Sequence, residues 1–367
     1  MVLHVGAPKS GTTFLQRALW SNYDALRAAG FVCAGERQRD MFHAAVEVRQ
    51  GHDFWGYSPE EIDGTWKRLC QEARSASGTT IMSHELLAAA SDEQAKLALA
   101  ELDGVDLHVV FTARDLARQA TSEWQERVKN GSTSRFGKFQ RRIVKQIESG
   151  QMSGGFWRNQ DPLGVLARWA DHLPPENVHV VVAPPAGADP RELWRRFAAA
   201  IGFDGDKFDP MTGEAPANQA LGAAQVAVLR RVNMALAGRI QQPAYAHVVK
   251  TQFAENLLAA QDSSRPETPR VLVRRMRAVA QQRNVAILEL GYQVHGDLAE
   301  LLPRPVPATT RSPDQIDDRE VLDAFAAAVA ELLVQRAGDR SQGMLRRAAM
   351  KPSVAPLRRR IVQRLRG

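Results

Sequence analysis

The sequence predicts an α/β protein in which a parallel sheet is flanked by helices, with helical additions toward the C-terminus. Three observations lead to this prediction. Short β-prone segments alternate with longer helical patterns, the first strand runs directly into a glycine-rich turn, and helical patterns continue without further strong strands from about residue 216. The alternation is typical of a parallel sheet, because each connection between parallel strands needs a crossover that a helix can supply.

Five segments have the composition of buried strands, and they lie at 2–6, 31–34, 79–83, 107–112 and 178–183. Helical patterns lie between and after these strands, at 12–28, 59–76, 91–103, 115–130, 161–173 and 190–201. In sheets of this kind ligands bind at the carboxyl ends of the strands. The residues directly after each strand are therefore the first candidates for a functional site.

The C-terminal third is predicted to be helical, with patterns at 217–237, 246–260 and 268–290, a proline-containing linker at 303–307 and an Ala/Leu-rich helix at 313–336. The length of 367 residues allows one or two domains. We divide the chain into a principal domain at 1–303, a linker with a C-terminal helix at 304–344 and a basic tail at 345–367.

The net charge of +7 is concentrated in that tail. Residues 345–367 carry eight Lys and Arg and no acid, so the rest of the chain sums to −1. Because the globular part is not basic, we expect no nucleic-acid partner. The tail has two interpretations, a solvated terminus or a peripheral contact with an anionic membrane surface.

The sequence also bears on the compartment. It contains no run of about 18 uncharged apolar residues, and its N-terminus has no signal-type apolar stretch. Cys33 and Cys70 are too few for a disulfide framework or a zinc site made of cysteines. We expect free thiols and a cytoplasmic location, with the inner membrane surface as the place where the tail would act.

The strongest motif is the glycine-rich run Gly6–Thr13, which separates the first strand from a helix. Glycines permit the tight turn, and backbone N–H groups at a helix start face an anion. The hydroxyl groups of Ser10, Thr12 and Thr13 add further donors. This combination predicts a phosphate-binding loop.

The position of the lysine distinguishes two kinds of phosphate loop. In the Walker A pattern the lysine follows the last glycine, whereas here Lys9 precedes Gly11. The run Pro-Lys-Ser-Gly-Thr-Thr closely resembles the 5′-phosphosulfate-binding loop of sulfotransferases that use 3′-phosphoadenosine 5′-phosphosulfate (PAPS). The resemblance implies a P-loop nucleotide-hydrolase-like fold and PAPS as donor cosubstrate. It assigns Lys9, Ser10, Gly11, Thr12 and Thr13 to the donor's 5′ end.

A second motif supports this resemblance. Arg114 follows the strand at 107–112, and Ser122 comes eight residues later on a predicted helix. The sulfotransferase family places an Arg and a Ser at this spacing to hold the 3′-phosphate of the donor. An arginine suits the role because its planar fork pairs with phosphate oxygens. Weaker similarities at 218–221 and 291–298 extend the resemblance over about residues 2–303.

The resemblance also implies a mechanism of in-line sulfuryl transfer to a hydroxyl or amine acceptor. Lys9 would stabilise charge on the leaving oxygen, and no metal is expected because fixed donors bind the leaving group. Glu85, which follows the strand at 79–83, is the first choice for the general base. His84 and His43 remain alternatives, because a histidine is also a suitable proton acceptor at neutral pH.

The acceptor is less defined, and we expect a small molecule, a sugar or a lipid. Five aromatic residues in loop-like stretches are candidates for lining its cleft, namely Trp55, Tyr57, Phe136, Phe156 and Trp157. Aromatic side chains of this size also pack readily in cores. The segment 130–160 has a second interpretation as a mobile lid.

Two other functions remain open. The first is a P-loop kinase or nucleotide hydrolase that uses ATP and magnesium, although the strand at 107–112 ends in Thr-Ala-Arg and offers no direct metal ligand. The second is a nonenzymatic nucleotide-binding protein that associates with membranes through its tail.

Overall fold

The computed structural model describes the backbone of residues 1–211 and 220–349, and the side chains of these residues as far as 337. Its six strands are β1 (Val2–His4), β2 (Phe31–Cys33), β3 (Thr79–Ser83), β4 (His108–Ala113), β5 (Val178–Val182) and β6 (Gln293–His295). They form one all-parallel sheet in the order β2-β3-β1-β4-β5-β6. Together with the helices on its faces, the sheet confirms the predicted α/β class.

Two segments that the sequence analysis singled out lie partly or wholly outside the described residues. Residues 218 and 219 of the motif at 218–221 lie in the segment that is not described, and so does the tail from residue 350 onward. The side chains of 345–349 also lie outside it. The two interpretations of the tail therefore remain predictions.

The five strands expected from the sequence all form, with bounds that differ by at most two residues. The sixth, β6, was not expected, since only the absence of further strong strands after residue 216 was predicted. It is an edge strand of three residues whose Val294 pairs with Val180 of β5. A strand this short carries too little alternation to stand out in the sequence.

The described residues form fifteen α-helices, which are α1 (Thr12–Ser21), α2 (Tyr23–Ala28), α3 (Gln38–Val48), α4 (His52–Trp55), α5 (Pro59–Ile62), α6 (Thr65–Ser75), α7 (Asp92–Ala100), α8 (Leu116–Lys129), α9 (Phe136–Glu148), α10 (Trp157–Gln160), α11 (Pro162–Ala170), α12 (Pro190–Ile201), α13 (Ala223–Leu236), α14 (Arg270–Glu289) and α15 (Asp318–Ala349). Four short 3₁₀ helices lie at Glu85–Ala89, Pro175–Asn177, Gly205–Lys207 and Leu298–Leu301. A π-helix occupies Ala246–Leu258.

Helices cover both faces of the sheet because its strands are apolar on both sides. In β4, Val109 and Phe111 belong to the core formed with α3, α6, α7 and α11, whereas Val110 points into the core formed with α1, α2 and α12. Alternating side chains of a strand point to opposite faces. Continuous apolar strands therefore indicate a sheet that is buried on both faces, as here.

A third core holds the helical additions together. It joins α8, α9, α13, α14, α15 and the π-helix. Phe136, Phe156 and Trp157 are fully buried in it, at 0–1% exposure. These three aromatics are therefore core residues, and the expectation that they line the acceptor cleft is wrong. Within the described residues, no helix is both long enough and apolar enough to span a bilayer.

Candidate active site

The glycine-rich loop leaves β1 in the centre of the sheet, between β3 and β4. Gly6, Lys9 and Gly11 have positive φ angles of 123°, 67° and 104°. This region is sterically unfavourable for a residue with a side chain, so the loop is held in a tightly specified shape. A Cβ atom at Gly11 would meet the end of the flexible Leu193 side chain, so it is the positive φ angle that favours glycine at this position.

The hydroxyl groups of the loop differ in their surroundings. Ser10 is buried, and its Oγ donates a hydrogen bond of 2.6 Å to the carbonyl of Ala7. Thr12 and Thr13 begin α1 and line the cleft beside the loop. No side chain caps the start of α1, so its N–H groups remain available to an anion. The Ser10 hydroxyl hydrogen is therefore used inside the loop, while the helix start faces the cleft.

Side chains from beyond β4 fix the loop from the other side. Arg114 Nη1 donates to the carbonyl of Lys9 at 2.7 Å. Gln119 and Gln160 both donate to the carbonyl of Pro8, at 2.9 and 3.1 Å. Burial lowers the pKa of Arg114 to about 10, so its guanidinium stays charged at neutral pH. The loop and Arg114 therefore form one unit.

Lys9 forms an ion pair with an acid that was not predicted from the sequence. Its Nζ lies 3.0 Å from Glu126 Oε2, and Lys250 Nζ lies 2.6 Å from Glu126 Oε1. Burial alone would raise the pKa of Glu126, but the two lysines outweigh it and lower the pKa to about 2. Glu126 is one helical turn beyond Ser122, and both line the cleft.

A cluster of arginines surrounds Arg114. Arg118 and Arg265 lie close enough to lower the pKa of Arg114, although burial has the larger effect. Arg304 acts on Arg118 in the same direction. The segment that carries Arg265 is held against α8, since Thr268 Oγ1 donates to the carbonyl of Ala117 at 2.8 Å. These cations converge on the part of the cleft assigned to the 3′-phosphate.

The candidate bases follow β3. Glu85 Oε2 accepts a hydrogen bond of 2.8 Å from Gln16 Nε2. Burial acts to raise the pKa of Glu85, but His84, its own backbone N–H and Gln16 together lower it. Burial lowers the pKa of His84, whose Nδ1 accepts a hydrogen bond from the backbone N–H of Leu86 at 3.2 Å. His84 Nδ1 is therefore already used as an acceptor by the backbone, whereas the surroundings of Glu85 favour its charged, proton-accepting form.

His43 lies apart from this group. It is on α3 and packs against Tyr57 with a ring-centroid distance of 5.0 Å. Burial, with Arg39 adding to its effect, lowers the pKa of His43. Neither His43 nor Tyr57 lines the cleft, whereas Trp55 does.

Apart from His43, the candidate catalytic residues line one cleft of about 1800 Å³ at the carboxyl edge of the sheet. It brings together Lys9, Gly11, Thr12, Thr13, His84, Glu85, Arg114 and Ser122. Among its described lining residues, eleven are Lys or Arg and seven are Asp or Glu. The cleft thus has an excess of positive charge, although residues 1–344 as a whole sum to −1, and it favours anionic ligands. No three His, Cys, Asp or Glu side chains in the described part of the chain are placed to hold a metal ion.

A buried histidine beneath the loop was also not predicted from the sequence to be part of the site. His4 of β1 contacts Ser83 Oγ through Nδ1 and Thr112 Oγ1 through Nε2, each at 2.8 Å. Burial lowers the pKa of His4 to about 4, so the ring is neutral. Its two hydrogen bonds connect β1 with β3 and β4, the three strands whose ends carry the loop, Glu85 and Arg114.

Comparison of the chain with protein-family models, with curated proteins and with solved structures gives no match.

Proposed function

We propose that this protein transfers a sulfuryl group from PAPS to a hydroxyl or amine acceptor. The observation that carries the proposal is the joining of the two donor motifs. The loop at Gly6–Thr13 and the pair Arg114 and Ser122 line one cleft, although they are about 100 residues apart, and Arg114 donates to the Lys9 carbonyl. The proposal includes a P-loop nucleotide-hydrolase-like fold, which the position of the loop after the central strand supports.

The donor is assigned along the cleft from the loop to the arginine cluster. Lys9, the N–H groups of the loop and the start of α1 face the 5′-phosphosulfate. Arg114 and Ser122 hold the 3′-phosphate, with Arg118, Arg265 and Arg304 as additional cations. A phosphate at each end of the nucleotide gives both Lys9 and the arginine cluster an anionic partner.

The reaction is an in-line displacement at sulfur. The acceptor oxygen or nitrogen forms a bond to sulfur while the bond from sulfur to the bridging phosphate oxygen breaks. Glu85 takes the acceptor's proton, and the leaving adenosine 3′,5′-bisphosphate keeps the electron pair of the broken bond. Lys9 stabilises the charge that develops on the leaving oxygen. The products are the sulfated acceptor and adenosine 3′,5′-bisphosphate.

Two measurements test the proposal together. Calorimetry compares adenosine 3′,5′-bisphosphate with adenosine 5′-monophosphate, and tighter binding of the bisphosphate is expected. Mass spectrometry then screens a cell extract for products that are heavier by one sulfuryl group when PAPS is supplied. Equal affinities together with ATP hydrolysis that requires magnesium would favour a kinase or nucleotide hydrolase. Bisphosphate binding without any sulfated product would favour a nonenzymatic role.

A further inference from the structure

The wall of the cleft beside Glu85 differs from the donor side. It is built by α3 and α4, and its lining residues include Phe42, Val46, Phe54 and Trp55. Phe42 packs on His84 with a ring-centroid distance of 5.6 Å and on Trp55 at 5.1 Å. This aromatic wall adjoins the candidate base, so it is the surface on which an acceptor would rest. Aromatic faces of this kind pack well against the apolar faces of rings.

One cation belongs to this wall. Arg49 follows the last residue of α3 and lines the cleft. Its Nε is buried without a hydrogen-bond partner, and no carboxylate among the described residues forms an ion pair with it. The carboxamide of Asn159 lines the same cleft, and its Oδ1 is also buried without a partner. Arg49 therefore carries a charge that the described protein does not neutralise.

Four other cations of the cleft are paired with carboxylates. Lys9 and Lys250 share Glu126, Lys129 pairs with Glu255, and Arg127 pairs with Glu123. Arg114 and Arg118 have Asp115 as an acidic neighbour. Arg49 differs from these six cations because the charged neighbour that acts on it is itself a cation. Burial, with a contribution from Arg158, lowers the pKa of Arg49. A partly buried guanidinium without a counterion is costly unless a ligand supplies one.

Resting on the proposed function, we infer that the acceptor carries an oxyanion, a carboxylate or a phosphate, which binds Arg49 while the acceptor's ring packs on Phe42 and Trp55. An oxyanion in the cleft can bond the Nη donors of the guanidinium, whose planar fork pairs with the oxygens of a carboxylate or a phosphate. Asn159 adds an amide that can bond a neighbouring hydroxyl. The acceptor class is an acidic sugar or another ring compound with an acidic group, and an uncharged compound is a poor acceptor.

The test begins without a known acceptor. A cell extract is separated by anion exchange into an anionic and a neutral fraction, and each is incubated with the protein and PAPS. Sulfated products are expected from the anionic fraction. Carboxyl reduction and phosphatase treatment of this fraction, done separately, distinguish the two oxyanions, since only the relevant treatment abolishes the product. Products from the neutral fraction alone would overturn the inference and leave the sulfotransferase function standing. The absence of product from both fractions would count against the proposed function itself.

Variants then assign the recognition to Arg49. With the acceptor found above, Arg49→Gln is expected to raise KM by about 10- to 100-fold, the range typical of a lost charge-assisted hydrogen bond. Affinity for adenosine 3′,5′-bisphosphate stays unchanged, because the donor motifs are intact. Arg27→Gln, which removes the same charge from an exposed position on α2, is the matched control. An unchanged KM in Arg49→Gln would exclude Arg49 as the oxyanion-binding residue.

Discussion

Lys9 Nζ lies 3.0 Å from Glu126 Oε2, so the lysine assigned to the leaving oxygen is held by an acid on α8. The side chains are 33% and 24% exposed, which places the pair at the cleft surface. Under the proposed function, a bound phosphosulfate would compete with Glu126 for the same ammonium group. Lys250 Nζ, 2.6 Å from Glu126 Oε1, would then still compensate the charge of Glu126.

The first prediction follows from this competition. Glu126→Gln is expected to bind adenosine 3′,5′-bisphosphate about 2- to 5-fold more tightly, because a partly exposed ion pair contributes about 1 kcal/mol or less. Calorimetry of the wild type and variant measures the change. Glu148→Gln, which removes an exposed partner of Arg275 outside the cleft, is the control. Weaker binding in Glu126→Gln would show instead that Glu126 helps to hold the nucleotide.

Lys9 itself gives the second prediction. Lys9→Ala is expected to lower turnover by about 10²- to 10⁴-fold, the usual cost of losing a group that stabilises charge in the transition state. Affinity for adenosine 3′,5′-bisphosphate should fall only modestly, because the loop N–H groups and Arg114 persist. Steady-state kinetics and calorimetry separate these effects. A parallel loss of affinity and turnover would mean that Lys9 mainly binds the donor.

Arg114 gives the third prediction. Arg114→Ala is expected to remove the preference for adenosine 3′,5′-bisphosphate over adenosine 5′-monophosphate. Since Arg114 also donates to the Lys9 carbonyl, affinity for the monophosphate should fall slightly as well. Calorimetry with both nucleotides gives the ratio of affinities. Arg275→Ala, at an exposed ion pair, should keep the wild-type ratio. A preserved ratio in Arg114→Ala would assign the 3′-phosphate to Arg118, Arg265 or Arg304.

The base assignment gives the fourth prediction. Glu85→Gln is expected to lower turnover by about 10²- to 10⁴-fold with donor affinity nearly intact. Because the pKa of Glu85 is lowered, the acidic limb of the wild-type pH profile should lie below the ordinary glutamate range. His43→Ala should retain most activity, since His43 does not line the cleft. A fully active Glu85→Gln beside an inactive His84→Ala or His43→Ala would move the assignment to that histidine.

Local pattern explains which features the sequence could predict. The strands at 107–112 and 178–183 were recognisable because continuous apolar runs indicate burial on both faces. The loop at Gly6–Thr13 was recognisable because its glycines and hydroxyls are contiguous. The pairing of Lys9 with Glu126 was not, because it joins residues 117 positions apart and depends on how α8 packs against the sheet.

Local pattern also could not predict which side chains are buried or which single cations lie in the cleft. Trp157 lies in a glycine-containing stretch that has the composition of a loop, yet it is fully buried in the third core and packs against Phe156, which no local pattern shows. Arg49 and Arg265 are two arginines among many, and only the fold places them in the cleft. The spacing of Ser122 and Glu126, one helical turn, was the one signal that a sequence argument could have used to find Glu126.

The last prediction concerns acid stability and three histidines on adjacent strands. His179 Nε2 lies 2.9 Å from His108 Nδ1, and His179 Nδ1 lies 3.1 Å from His295 Nε2. Burial, with the two neighbouring histidines adding to it, lowers the pKa of His179 to about 4. The unfolded chain has a histidine pKa near 6.5, so it binds more protons than the folded protein between about pH 4 and 6.5.

Stability contributed by the neutral His179 is therefore complete above about pH 6.5 and decreases as the pH falls toward 4. The loss amounts to about 2 kcal/mol between pH 7.5 and pH 5 for one such histidine. Urea midpoints at pH 7.5, 6.0 and 5.0 should fall in that order. His179→Gln keeps polar groups at this position but does not titrate, so its midpoint should depend less on pH. His247→Gln, which replaces an exposed histidine on the π-helix, is the matched control and should keep the wild-type dependence. If His179→Gln and the wild type lose stability in parallel, the acid sensitivity arises elsewhere, and His4, which is fully buried with a pKa of about 4, is the next group to replace.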